Sequence, residues 1–498
     1  MTTLGSFFHL FVSNFHLRRD EDQQVNNESA FFRLRIGAHC FAIFLLILSL
    51  LLLPQAASAQ LSLGRFTISD EVELGRKFNI LIRSRLPMVE DPEILEYVQG
   101  ILERLNQQMP PQPFPVQIGV IRHGALNAFA GPGGHIFVHT GLLQHLENES
   151  EFAGVVAHEL AHVSQRHIAR RIEKAQFVNL ATLLGVLASV FLGGDAQSAL
   201  LYGSVAAGQS AMLSYSREDE READQVGMNY LIAAGLRPQG MVHSFETIRK
   251  LRWLGGSAPL YLSTHPGIDE RIGSMKDRVD RLPAHIRERE ENNDNYLRAR
   301  MLVMARYTEP DQALAFFRGR ELGSCLDDLG LAIALDRGNQ TAEAQAAYER
   351  ALACSPNDPL ILREAGVFFL RLGNFDESAR RLQEAVLRNP RDLMALFHYA
   401  RLQIAVNQED EAIKLLERIL KHLPEQSSVH ALLGRVLGQT GRLFSAHTHL
   451  AYAAIYSGDK KQAGFHMARA EEHARSTQEK SELEKIREIL KEREELMR

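Results

Sequence analysis

The sequence predicts a mostly α fold in two parts, a helical domain built round a small β-sheet followed by an α-solenoid, and three observations carry that expectation. Pro356, Pro390 and Pro424 stand 34 residues apart, a spacing characteristic of stacked helix pairs. A capped helical stretch after Asn148 carries two histidines four residues apart. Ahead of it, β-branched runs at 116–121 and 135–138 lie either side of Pro132-Gly133-Gly134, which reads as a small sheet with a tight turn. At 498 residues the chain has room for an enzyme and an appended module. Its 56 Lys and Arg against 61 Asp and Glu leave a formal charge of −5, without the basic excess of a nucleic-acid binder, so nucleic acid is excluded as a partner. Twenty His against three Cys point to histidine chemistry and away from a disulfide scaffold.

At the N-terminus, residues 41–53 are apolar except for Ser49, Arg33 and Arg35 lie upstream, and Ala57-Ser58-Ala59 follows. This is the pattern of a secretory signal spanning 1–59, cleaved after Ala59, and it predicts export. An uncleaved anchor is the alternative, but thirteen residues are short against the roughly twenty a span needs. No Cys follows to carry a lipid. The long stretch before Arg33 leaves the true start codon open.

The next domain is read over 60–290. Its sheet offers an edge that an extended substrate backbone could join; the alternative is that Pro132-Gly133-Gly134 is a turn and nothing more. Asn148 and Ser150 are N-cap residues, Glu151 is placed to close a capping box on Asn148, and Phe152, Val155, Val156, Leu160 and Val163 follow at helical spacing. On this helix His158-Glu159-Leu160-Ala161-His162 sets two imidazoles one turn apart on one face, so both reach one zinc ion. Glu159 then stands beside the ion, where it can take the proton of a water the metal acidifies. These are the parts of a zincin-type metallopeptidase domain. A third ligand is still required. Gln165 and Ile168 occupy the positions where a metzincin needs Gly and His, so the ligand is sought among downstream carboxylates. The segment from Ser216 to Asp224 supplies Glu220 and Asp224 at i, i+4 on one face: Glu220 for the metal, Asp224 to hold the tautomer of a ligand histidine. Glu218 and Glu222 are expected to face elsewhere, and an acidic first turn serving only the helix dipole is the alternative.

At these residues the chain resembles the HtpX-like zinc endopeptidase family. The resemblance rests on His158-Glu159-x-x-His162, on Ser216-Arg217-x-x-Glu220-x-x-Ala223-Asp224, on Asn127-Ala128-Phe129-Ala130-Gly131-Pro132-Gly133-Gly134 leading to Gly141-Leu142, and on Ser263-Thr264-His265-Pro266 with Arg271. It covers about residues 70–290. It implies one zinc ion per chain on His158, His162 and Glu220, with Glu159 in catalysis. It further implies that His265 is a fourth ligand that displaces the catalytic water, making the enzyme latent until substrate or a partner withdraws the ring. Relatives that carry repeats work in the periplasm, so the resemblance implies a task there. That task is hydrolysis of misassembled envelope proteins, with chaperone-like support of outer-membrane β-barrel assembly, stalled β-barrel proteins as clients and the barrel-insertion machinery as a partner of the repeat groove. The rival readings are a repeat-based adaptor or chaperone whose zinc site is latent or structural, and a general periplasmic protease. Segments 177–192 and 199–213 are largely apolar or Ala/Gly-rich and suggest a buried or membrane-touching helical hairpin, with peripheral membrane contact.

The second module is read over 291–498. With the three prolines at repeat position 32, small residues recur at position 8 (Ala332, Gly366, Ala400, Gly434) and position 20 (Ala344, Ser378, Ala412, Ala446). Bulky ones recur at position 24 (Tyr348, Leu382, Leu416, Leu450). This is the tetratricopeptide pattern, in which small residues let paired helices approach closely. Further helical pairs are expected at 296–320 and 462–472, with the charged run 478–498 as a solubilising cap. Such a stack presents a concave protein-binding groove. Cys325 and Cys354, at positions 1 and 30, fall at the same end of one repeat; a disulfide is open to them, and two free buried thiols are favoured.

Overall fold

The computed structural model describes residues 66–175, 215–254, 260–319 and 324–497. The signal-like stretch and the segments 177–192 and 199–213 lie outside these residues. Among the described residues no helix is long and apolar enough to cross a membrane.

The first half opens with α1 (Ile68–Arg85), started by a capping box between Thr67 and Asp70, and α2 (Pro92–Asn106), started by Asp91 with Pro at the first helical position. Three strands follow: β1 (Gln117–Ile121), β2 (Ala128–Ala130) and β3 (His135–His139), in the order β1-β3-β2. The Pro132–Gly134 turn joins β2 to β3 as an antiparallel pair, whereas β1 pairs with β3 in parallel. Gly133 and Gly134 take φ of 66° and 80°, a conformation that costs other residues about 1 kcal/mol or more. A Cβ at Gly75 of α1 would fall 2.5 Å from the Pro132 carbonyl oxygen, so this buried turn is also the seat of α1. The outer edge of β1 is occupied near its end, where Met88 bridges Ile121. No described strand pairs with the outer edge of β2.

A short helix α3 (Thr140–His145) leads to α4 (Glu149–Ser164), which is buried continuously from Ser150 to Val163. Its N-terminus differs from the expected capping box: Asn148 caps the Glu151 amide, but the Glu151 carboxylate reaches past the cap to the Glu147 amide, 2.9 Å, and to the Asn148 side chain. Ser150 lies inside the helix, where its hydroxyl accepts the Arg237 amide. Around α4 stand α5 (His167–Ala175), α6 (Arg217–Ala233), α7 (Gln239–Leu254), the short α8 (Leu260–Thr264) and α9 (Ile268–Asp280). Two glycines set the distances. A Cβ at Gly154 would meet the Met241 backbone at 2.7 Å, and one at Gly227 would meet the Ala157 carbonyl oxygen at 2.8 Å.

After a single turn, α10 (Ala284–Arg287), the chain enters helix pairs: α11 (Asp294–Tyr307) and α12 (Pro310–Arg318), α13 (Cys325–Arg337) and α14 (Thr341–Cys354), α15 (Pro359–Arg371) and α16 (Phe375–Arg388), α17 (Leu393–Ala405) and α18 (Glu409–His422), α19 (Ser427–Gln439) and α20 (Leu443–Ser457). Then come α21 (Lys460–His473) and a terminal α22 (Thr477–Met497). The small positions have the expected packing reason. A Cβ on Gly366 would meet Leu382 at 2.7 Å, and one on Gly434 would meet Leu450 at 2.8 Å. Cys325 and Cys354 form a disulfide, where the sequence favoured free thiols. Cys325 begins α13 and Cys354 ends α14, so the hairpin returns its chain to the starting point and brings the Cα atoms to 5.5 Å.

Three features join the repeats to the first half. One hydrophobic core runs without interruption from Val89 through Tyr296 and Leu302 to Ala395. Beside it lies a buried ionic seam: Arg306 pairs with both Asp91 and Glu364, Arg298 with Glu93 and Asp358, and Arg363 with Glu364 and Asp392. Near the far end of the stack the contacts are of another kind: Arg76 pairs with Glu492, and Gln426 donates to Glu90 at the surface.

Candidate active site

The helix α4 delivers His158, Glu159 and His162 into the protein interior, all at 0–1% exposure. Helix α6 approaches it at Gly227, and its N-terminal turn divides the acids by task. Asp219 closes a capping box on Ser216, Glu218 faces solvent and pairs with Arg221, and Glu220 and Asp224 turn inward and are buried. The dipole-serving reading of the acidic turn therefore applies to Asp219 and Glu218, not to the inward pair. His265, directly after α8, is fully buried against them.

Four side chains converge. His158 Nε2 lies 3.0 Å from His162 Nε2, 3.3 Å from His265 Nδ1 and 3.5 Å from Glu220 Oε2. Glu220 Oε1 lies 3.5 Å from His162 Nε2 and 3.1 Å from His265 Nδ1. Around them, His158 Nδ1 meets Asp224 Oδ1 at 3.0 Å, and Arg271 grips Asp224 with two nitrogens at 2.7 and 2.8 Å while pairing with Glu220. Tyr215 stacks on the His162 ring at 3.7 Å between centroids and Tyr261 on His265 at 4.2 Å. Arg271 lies 4.5 Å over the Phe245 ring, a cation–π contact inside the protein.

The electrostatics follow from burial against charge. Burial pushes His162 well below the usual imidazole range. Burial works against ionising Glu220, but the charges of His265 and Arg271 hold it well below the usual carboxylate range. Burial and Arg271 oppose a charge on His158, yet its bonds to Asp224 and Glu220 raise it to about 9. Several groups here lack a hydrogen-bond partner, among them the Tyr215 and Tyr261 hydroxyls. Both Glu159 carboxylate oxygens and His265 Nε2 are buried without a hydrogen-bond partner, although such groups are nearly always paired.

Every site residue read from the sequence is therefore in or against one cluster. Glu222 faces away from the four donors, as expected, and there reaches His167 at 3.1 Å. The sequence reading missed the parts played by Arg271, Tyr215, Tyr261 and His167. Arg271 was visible only as part of a motif, and the others sit on segments whose folding back onto α4 no local pattern announces.

Residues 90–279 match the family described as Peptidase family M48, and residues 329–379 and 369–436 match tetratricopeptide repeats. Similar proteins include the beta-barrel assembly-enhancing protease of Yersinia pestis, 27% identical over 406 residues, which are 80% of this chain and 83% of that protein. The protein of the same name from Escherichia coli K12 is 28% identical over 390 residues, 74% of this chain and 77% of that protein. A putative one from Vibrio cholerae is 31% identical over 265 residues, 51% of this chain and 53% of that protein. Among solved structures, one of MamA is 20% identical, with a TM-score of 0.29, over 33% of this chain and 98% of that one.

Proposed function

From the premise that this chain joins a peptidase family M48 domain to C-terminal tetratricopeptide repeats, we propose that it is an exported, zinc-dependent endopeptidase. We take residues 60–290 as its catalytic domain, 291–498 as its repeat domain and 1–59 as a removed signal. Its substrates in this reading are misassembled envelope proteins of the periplasm. The repeats hold stalled β-barrel clients or the barrel-insertion machinery, in keeping with the beta-barrel assembly named in its relatives.

The observation that carries the reading is the spacing of the four donor atoms. A tetrahedral zinc ion with bonds of about 2.0–2.1 Å sets its ligand atoms roughly 3.3 Å apart. Five of the six separations between these groups, taken to the nearer Glu220 oxygen, run from 3.0 to 3.5 Å, and the whole group lies within 4.8 Å. Two imidazoles and an anionic carboxylate suit zinc in the first positions, and a cation there would take the place of the proton on His158. His158, His162 and Glu220 would hold the ion, and His265 would close the cage through Nδ1. When bound, the ion supplies Lewis-acid polarisation of the scissile carbonyl and of the attacking water.

The protein's own residues do the rest. Glu159, with two unpartnered oxygens, accepts the water's proton and returns it to the leaving amide nitrogen. Asp224 orients His158, and Arg271 holds Asp224 and offsets the charge of Glu220. His265 occupies the space a substrate needs: its Nδ1 is 3.1 Å from Glu220 and its Nε2 is 3.5 Å from Glu159, so the ring spans the gap between third ligand and base. This favours a latent peptidase over a silenced scaffold, because a scaffold has no use for an unpartnered Glu159.

Two measurements test the reading. Metal analysis of the full chain should return one zinc per chain, and His265→Ala should cleave casein faster than the native protein. Absence of bound zinc defeats the enzyme reading, and a His265→Ala rate at or below the native rate defeats the latency.

A further inference from the structure

His167 stands five residues after His162, and on an uninterrupted helix it would point well away from it. The chain breaks instead at Arg166, which takes φ of 50°, a left-handed conformation that costs a non-glycine residue about 1–2 kcal/mol. Arg166 is held there by two bonds to Glu71 of α1, 2.6 and 2.9 Å. The break starts α5 with His167 fully buried and its Nδ1 2.7 Å from His162 Nδ1. On the other side of the ring, His167 Nε2 lies 3.1 Å from Glu222 Oε2, an oxygen that Arg170 also binds at 2.7 Å.

With a cation on His162 Nε2, one set of proton positions satisfies these contacts. His162 presents Nε2 to the cluster, so the hydrogen of its neutral ring sits on Nδ1 and must be donated. The partner in reach is His167 Nδ1, which must then be the bare, accepting nitrogen. His167 consequently carries its hydrogen on Nε2 and donates it to Glu222, whose charge is held by Arg170. His158 is treated differently, since Asp224 accepts from it directly.

The group His167, Asp219 and Glu222 also has the residue types of a second cation site. Its surroundings argue against one. Asp219 Oδ2 is bound twice by Arg171, at 2.7 and 3.1 Å, and caps α6, while Glu222 is bound by Arg170. Two guanidinium groups already supply the positive charge. The Asp219 oxygen on the His167 side is 4.0 Å from Nε2.

We infer that His167 and Glu222 are positioning residues for His162: a relay that fixes its tautomer and ring orientation and thereby sets the affinity of the cage for metal. The inference rests on the zinc reading above. Partners of this kind are typically worth ten- to hundredfold in metal affinity. The experiment is chelator competition for zinc on the full-length chain. His167→Phe retains a ring but leaves the His162 N–H unpaired, and should weaken zinc binding about ten- to hundredfold. His167→Asn returns an accepting oxygen near the place of Nδ1 and should recover all but about threefold of the loss. Glu222→Leu removes a half-exposed side chain with little risk to folding, so it carries the test if the Phe variant does not accumulate; it should lose at least about threefold in affinity. Native-like zinc affinity in His167→Phe, an Asn variant no tighter than the Phe variant, or unchanged binding in Glu222→Leu overturns the relay. A native chain that binds no zinc overturns the zinc reading with it, whereas native binding with unaffected variants removes the relay alone.

Discussion

Two buried charged networks lie in this molecule, and they are built on opposite principles. In the ionic seam between the halves, three arginines meet five carboxylates. The excess of negative charge is offset because Asp91, Asp358 and Asp392 are also the N-caps of α2, α15 and α17 and accept backbone amides there. Little is left over, chiefly one nitrogen of Arg363 and one oxygen of Glu93. In the His158 cluster the lone pairs converge on a common point, and the base beside them accepts no hydrogen bond, with only His265 Nε2 near it at 3.5 Å. A buried network that pairs every charge internally holds structure together; one whose lone pairs converge on a single point has the donor set of a cation site.

That contrast can be broken in order of effect. Glu159→Gln should lower proteolysis by about 10²–10⁴-fold while leaving zinc content and the denaturation midpoint as they were; a coupled loss of stability would make this group part of the scaffold. Arg363→Met should do the reverse. Removing one partner from a buried ionic group costs about 3–5 kcal/mol, so the urea midpoint should fall while the zinc affinity of the remaining folded protein holds. Cleaving the Cys325–Cys354 link, by Cys325→Ser and Cys354→Ser together, should cost about 2–4 kcal/mol and behave as the seam does, visible in urea titrations and silent in metal binding. Acid supplies the mildest probe. Burial opposes the Glu364 charge, but Arg306 and Arg363 lower its pKa to about 2. The stabilisation is therefore complete above the ordinary carboxylate value of about 4.3 and is lost as pH falls from there toward 2. Its ceiling is about 3 kcal/mol, and Glu364→Gln should flatten that part of the pH–stability curve.

The legibility of the two networks differs for a physical reason. His158 and His162, and Glu220 and Asp224, are i, i+4 pairs on two helices, so periodicity alone sets each pair on one face, with Glu159 one residue to the side of the first. The repeats were legible by the same kind of argument, since Gly366 and Gly434 are small because Leu382 and Leu450 lie against them. The seam could not be read: Asp91 and Arg306 are 215 residues apart, and nothing local to either announces the other. His167 was hidden by a break in helical phase at Arg166, a residue type that gives no warning of a left-handed turn. The direction of Glu222 was read correctly, but not its partner, which arrives from another helix. The disulfide was misjudged on chemistry, not geometry, since the two positions were already at one end of a repeat.

The repeat stack is attached to the first half unequally at its two ends. At the root, hydrophobic core and buried charge make separation as costly as unfolding. Toward the tip, Arg76 and Glu492 remain 42% and 60% exposed, and a pair of that kind is worth about 0.2–1 kcal/mol and is screened by salt. Added salt therefore weakens the tie at the tip while leaving the buried root nearly untouched.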